Sequence, residues 1–364
     1  MARHPAIDID YTRGAGLARL LQTRIAILDG AMGTMIQRER LGEAEFRRDR
    51  AGDAQQGAAR AARPARRGGA RGMNQMRRVD GVIDYLDAFD RLLQARLPMP
   101  EPAGPLPSIE LDRDRPLAML VSPHPDDECL VGGLALRLRR EAGYAVLNLA
   151  ATLGSRVERR EARWCELSQA CARLGFALAD AGFAGREPIS EARRHADPAS
   201  WERDVALLAA LLDRYRPRLL VFPHARDGSA THIGVHRLVL DALQRYERPL
   251  WLAQTEFWGT LDDPNLLLEL RKAEVATLLD ALLCHRGEIA RNPYHLRLAS
   301  WLSDSVRRGG ENVPGAGAQP PSFPFGALYR VDRWSGRAIE TVERRAILDG
   351  GADLRELFPP LDAR

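Results

Sequence analysis

The sequence is short of several things at once. Cysteine occurs four times in 364 residues, at Cys129, Cys165, Cys171 and Cys284, and no two form a C-x-x-C pair. This argues against a disulfide framework or a paired-cysteine zinc module and points to a reducing, cytoplasmic setting. No apolar run approaches the roughly 18 residues of a membrane span, so no bilayer-crossing helix is expected. The opening MARHPAIDID lacks the apolar core that a secretion signal needs. Lysine is almost missing: Lys272 is the only one among 53 basic residues, which meet 49 acidic ones to leave a net charge of +4. That surplus is local. Residues 51–72 carry five arginines and one aspartate, so the remainder sums to zero, and no basic stripe on a folded element marks a nucleic-acid partner.

What is present suits a globular protein. Apolar residues make up 45% and charged residues 28%, enough for a sizeable core under a normal polar surface. The length fits one large domain or two small ones, at roughly 100–200 residues each. The chain divides near residue 72. Of the 22 residues in 51–72, 18 are Ala, Gly or Arg and none is large and apolar, so the segment is expected to be a disordered linker. Residues 1–72 are accordingly read as non-catalytic, and 73–364 as the working domain. Residues 17–47, through ILDGAMGTMIQ, resemble the opening of the homocysteine methyltransferase module of cobalamin-dependent methionine synthase. That resemblance implies the first strand and turn of a TIM-type barrel. The rest of the barrel and its zinc-binding cysteines are missing, so methyl transfer is not expected; a fusion remnant or a mispredicted start are the readings that fit.

From residue 73 a helical pattern begins, with Val82, Ile83, Leu86, Phe89, Leu92 and Leu93 in register. Apolar runs at 116–121, 144–150, 218–222 and 250–254 then predict four strands. They alternate with helical patterns near 131–142, 157–174, 200–215, 232–246, 268–285 and 294–308; the Gly- and Pro-rich stretch 309–325 predicts a long loop. The alternation predicts an α/β fold of three Rossmann-like layers, a mostly parallel sheet with helices on both faces. In such sheets ligands sit beyond the carboxyl ends of the strands.

Two loops fall at that edge. The first is Ser122-Pro123-His124-Pro125-Asp126-Asp127-Glu128; the second runs from Pro223-His224 through Asp227-Gly228-Ser229 to His232. Imidazole and carboxylate together suit a borderline divalent metal, and a catalytic site keeps three protein ligands with one position open. His124, Asp127 and His232 are the candidate ligands, leaving Asp126 as a base. Simple capping of the next helix by Asp-Asp-Glu is the competing account.

PHPDDE after an apolar strand, with a later histidine loop following a proline, resembles the LmbE/PIG-L family of metal-dependent de-N-acetylases over about residues 115–335. The resemblance implies that His124 and Asp127 bind metal, that Asp126 is the general base, and that His232 is the third ligand. The family's second motif is H-P-D-H, and here Ser229-Ala-Thr-His232 stands in its place. Ser229 replaces a histidine that polarises the carbonyl or protonates the leaving amine, so either His224 or His236 fills that role, or Asp126 carries both proton transfers, or catalysis is weak. Arg163, in an R-x-x-E-L helix, is the candidate for gripping a sugar hydroxyl or phosphate; an i,i+3 pair with Glu166 is its alternative. Glu256 and Trp258 follow the fourth strand and could line the pocket, although core packing is the expectation for the tryptophans. Cys129 reads as a small buried residue.

The expected cofactor is zinc, with ferrous iron accepted by the same donors. The expected partner is a small N-acetylated sugar or glycoconjugate, cleaved to acetate and a free amine. A wider amidase acting on sugar or thiol conjugates, and a metal- or carbohydrate-binding protein with weakened catalysis, are the alternatives.

Overall fold

The computed structural model describes residues 81–94, 107–179 and 187–361, all within one unit, Arg78–Arg364. The two segments singled out at 17–47 and 51–72 lie outside the described residues.

The centre of the unit is a sheet whose inner strands are buried on both faces. β1 (Leu117–Ser122), β2 (Ala145–Ala150) and β4 (Leu219–Pro223) are buried at every position. β3 (Ala177–Leu178) flanks β2 on one side, and β5 (Leu250–Thr255) flanks β4 on the other; all four junctions among these strands are parallel. The side-chain period of two sends alternate residues to opposite faces. Ala118 and Leu120 of β1 therefore join one core and Met119 and Val121 the other.

The first core is closed by α3 (Gly133–Glu141), α4 (Arg160–Leu174), α8 (Lys272–Leu282) and α10 (Tyr294–Asn312), through residues such as Leu134, Leu167, Leu278 and Leu298. The second is closed by α6 (Pro198–Tyr215) and α7 (Ala230–Leu243), through Leu208, Leu212, Val235 and Leu238. The remaining helices are α1 (Val82–Gln94), α2 (Asp127–Leu130), α5 (Glu191–Ala196) and α9 (Arg286–Arg291). The three-layer, mostly parallel expectation holds. Among the described residues no helix is long and apolar enough to cross a membrane.

The sheet continues beyond the four strands read from the sequence. β7 (Gly326–Trp334) lies antiparallel between β5 and β6 (Leu266–Glu269), β9 (Ala346–Leu348) extends β6, and β8 (Ile339–Thr341) pairs with β7. Residues 268–269 thus belong to a strand rather than to the helix expected from 268, which starts at Lys272. The expected loop at 309–325 is also shortened, because α10 runs on to Asn312. Gly309 is a contact residue there: a Cβ would fall 2.8 Å from Leu328 Cδ2 and 3.0 Å from Leu267 Cδ2. The glycine lets the helix lie on β6 and β7. In α1, Val82, Ile83 and Leu92 are 77, 69 and 66% exposed among the described residues.

Candidate active site

β1 and β4 are parallel neighbours, so the loops that leave their carboxyl ends emerge side by side. This adjacency brings the two histidine loops together, although residues 129–222 separate them in the chain. His124, Asp127 and His232 converge: one ligand atom from each lies within 4.8 Å of the others. The Oδ2 atom of Asp127 is 3.5 Å from His124 Nδ1 and 3.5 Å from His232 Nε2. It also accepts the backbone N–H of His124 at 2.8 Å, which closes the turn and fixes the carboxylate.

The second loop holds His232 from behind. Its Nδ1 lies 2.5 Å from Oδ2 of Asp227. The other oxygen of Asp227 accepts the backbone N–H groups of Phe257, Trp258 and Gly259, at 3.1, 2.8 and 3.0 Å. A carboxylate so anchored fixes His232 as the Nδ1–H tautomer and aims the Nε2 lone pair at Asp127. Nε2 is buried and has no hydrogen-bond partner, a costly state for a polar atom and the state a metal ligand has before its cation arrives. The donor set, two imidazoles and one carboxylate, suits zinc or ferrous iron.

The charges agree with that arrangement. Burial alone would raise Asp127, but His232 and His124 outweigh it and draw the carboxyl below its ordinary range. Burial alone would lower His232, but Asp127 and Asp227 outweigh it and shift the imidazole upward.

Asp126 has a different environment. Its backbone is left-handed, with φ at 116°, unusual for a residue with a Cβ. It precedes α2 at the N-cap position, yet its side chain makes no capping hydrogen bond, so capping does not account for it. Its own N–H donates to Oε2 of Glu128 at 3.0 Å. Glu128 is fully buried and receives His285 Nε2 on its other oxygen at 2.6 Å, and the Cys129 thiol at 3.2 Å. Burial, followed by the Asp127 carboxylate, pushes Asp126 well above the usual carboxylate range; Glu128 and Glu288 add to this and Arg163 opposes it. A cation at Asp127 would act in the same sense as Arg163.

The remaining sequence candidates fall as follows. His224 is buried, with Nε2 3.0 Å from the carbonyl of Gly259. His236 is buried on α7, its Nδ1 3.0 Å from the Pro223 carbonyl, and burial lowers it to about 4, so the ring is neutral at pH 7. Ser229 is the half-buried N-cap of α7 and makes no capping bond. Arg163 is buried; its Nη2 donates to the Pro125 carbonyl at 3.0 Å and its Nε lies 3.8 Å from Glu288. Glu166, the alternative partner of Arg163, instead accepts Gly287 N–H and faces Arg159. Glu256 is buried against Arg308, and Cys129 is fully buried. Trp258 departs from the expectation of core packing: it is 51% exposed, its ring against Tyr294.

No motif in the sequence marks Asp227, His285 or Glu288 as part of the site. Asp227 alone had a local signal, a carboxylate five positions before a candidate ligand in the same loop.

Residues 119–243 match a family model described as PIG-L: GlcNAc-PI de-N-acetylase. The PIG-L region therefore spans β1 to α7 and contains His124, Asp126, Asp127, Arg163, Asp227 and His232, while His285 and Glu288 lie beyond it. No curated protein sequence matches the chain. Among solved structures, a conserved protein from Thermus thermophilus is 20% identical, covering 59% of this chain and 93% of its own, with a TM-score of 0.41. N,N'-diacetylchitobiose deacetylase from Pyrococcus horikoshii is 13% identical, covering 70% and 94%, with a TM-score of 0.43. The 4-carboxy-2-hydroxymuconate hydratase from Pseudomonas putida is 17% identical, covering 59% and 95%, with a TM-score of 0.44.

Proposed function

We propose that this protein is a metal-dependent hydrolase that removes the acetyl group from an N-acetylated amino sugar or a related small molecule. One observation carries the reading: the buried Nε2 of His232, without a hydrogen-bond partner, faces the Asp127 carboxylate and the His124 ring, with the strained Asp126 beside them. The match of residues 119–243 to the PIG-L model supports the same reaction class.

His124, Asp127 and His232 would hold the cation, zinc or ferrous iron. When bound, such a cation supplies Lewis acidity, which acidifies water and polarises a carbonyl oxygen. Asp127 is kept ionised by its two imidazole neighbours, and Asp227 keeps His232 in the tautomer that ligates. Asp126 accepts the proton of the attacking water at its carboxylate. It then returns a proton to the departing amine nitrogen. His236, neutral at pH 7, holds no extra proton to give, and His224 has its Nε2 against the Gly259 carbonyl, so Asp126 carries both transfers in this scheme. Arg163 fixes the Pro125 carbonyl, and with it the turn before Asp126.

The decisive experiment measures acetate release from a panel of N-acetylated amino sugars by the zinc- and iron-loaded protein, beside the chelated protein. Release that depends on metal supports the reading. Bound metal without acetate release from any member of the panel removes it.

A further inference from the structure

Next to Asp126 lies an open cleft of about 450 Å3, lined by Leu153, Arg156, Arg159, Arg163, Glu288 and Arg291 among others. Four arginines face one carboxylate there, and that carboxylate is already used: Glu288 pairs with Arg291 and lies 3.8 Å from Arg163. Arg159 is held loosely, 3.5 Å from Glu166. Its guanidinium lies against the backbone of Gly287, where a Cβ would fall 1.7 Å from Nη2 and displace it from the cleft. Arg156 is exposed, and its guanidinium has no hydrogen-bond or ion-pair partner among the described residues.

Several other arginines of this chain are each matched by a carboxylate of their own. Arg160 meets Glu187, Arg193 meets Asp204, Arg194 meets Asp241 and Arg237 meets Glu191. In the cleft four arginines share one lining carboxylate, so positive charge is left over there. The wall is continuous with the site, because Arg163 lines the cleft and also binds the Pro125 carbonyl one residue before Asp126.

We infer that this cleft is an anion subsite: the substrate carries an ionised oxyanion on the part of the molecule away from the acetamido group, held by Arg156, Arg159 and Arg291. Guanidinium forks favour carboxylate, phosphate and sulfate oxygens through paired charge-assisted hydrogen bonds. The inference rests on the deacetylase reading for the identity of the reacting end and on the cleft alone for the charged end. Arg156 and Arg159 fall inside the PIG-L region, whereas Arg291 and Glu288 come from α9 beyond it.

The test is calorimetric binding to the metal-loaded full chain at fixed low salt. The probes are N-acetylglucosamine, its 6-phosphate, its 6-sulfate and the carboxylate-bearing N-acetylmuramic acid. At least one charged probe is expected to bind ten times more tightly than N-acetylglucosamine, and the three charged arms separate phosphate, sulfate and carboxylate. Arg156→Glu should bring that ratio to one or below, and Arg156→Lys should recover part of it, both with unchanged melting temperature. Equal Kd values for charged and uncharged probes, no binding of any charged probe, or a ratio untouched by Arg156→Glu would overturn the subsite. Acetate is measured in the same samples. A charge preference without acetate release would sink the deacetylase reading and leave the subsite standing; acetate release without the preference would do the reverse.

Discussion

The carboxylate of Asp227 and the imidazole of His232 meet at 2.5 Å, and three backbone N–H groups of the loop after β5 hold the far oxygen of that carboxylate. The ligand nitrogen is therefore oriented by an element that neither bears a ligand nor adjoins one in sequence. Carboxylates in this position raise the basicity of a histidine ligand and lock its ring, and their loss costs about 10–100-fold in metal affinity or activity. Asp227→Asn should weaken zinc binding by about tenfold or more, read by competition with a chromophoric chelator. An affinity equal to the wild type would mean that His232 is not a ligand.

Asp126 and Asp127 are neighbours with separable roles. Asp126→Asn should keep stoichiometric metal and lose about 10²–10⁴ of turnover, the usual range for a proton-transfer group. Asp127→Ala should lose metal and turnover together. Metal analysis and acetate release on the same preparations distinguish the two, and an Asp126→Asn protein with wild-type rates would remove the base assignment.

Glu128 and His285 form a pair with no exposed surface, linked to the N–H of Asp126. Removing one partner of a buried pair leaves the other uncompensated, at about 3–5 kcal/mol. Glu128 keeps two further donors, Asp126 N–H and the Cys129 thiol, so His285→Ala should fall near the lower end. Urea unfolding measures it, and His285→Gln, which keeps a donor, should recover part of the loss. A midpoint unmoved in His285→Ala would show that the pair contributes nothing to stability.

His236 supplies a pH dependence. Its value in the folded protein, about 4, is below the ordinary 6.5, so the unfolded chain takes up the proton first. Above pH 6.5 the ring is neutral in both states and contributes nothing. As the pH falls from 6.5 to about 4, stability is lost, and below that the loss is constant. A difference of that size corresponds to roughly 3 kcal/mol. His236→Gln retains a donor for the Pro223 carbonyl and does not titrate, so its stability should fall less steeply between pH 7 and 4. Parallel curves for the two proteins would assign the acid sensitivity elsewhere.

Local signals and local structure coincide where burial is symmetrical. β1, β2 and β4 are covered on both faces, and each reads as a mainly apolar run, interrupted in β2 only by the buried Asn148. β7 has the opposite character. Its sequence GALYRVDRW carries Arg330, Asp332 and Arg333, and Arg330 is matched by Asp332 and Asp263 only after folding. Gly309 and Gly310 resembled helix breakers because a sequence does not display the neighbouring strands and prolines that require their small size.

From the sequence alone came the layered α/β plan, the strand ends at which to look, and His124, Asp126, Asp127 and His232 as the groups to look for. These follow from short-range pattern, since a strand's apolar run and the polar loop after it are contiguous in the chain. Tertiary structure alone decided how those groups are supported and what surrounds them: Asp227 behind His232, His285 beneath Glu128, and arginines of two separate segments facing one cleft. Such pairings depend on which strands lie side by side and on where distant helices pack, and electrostatic partnership across that distance leaves no periodic trace in the order of residues.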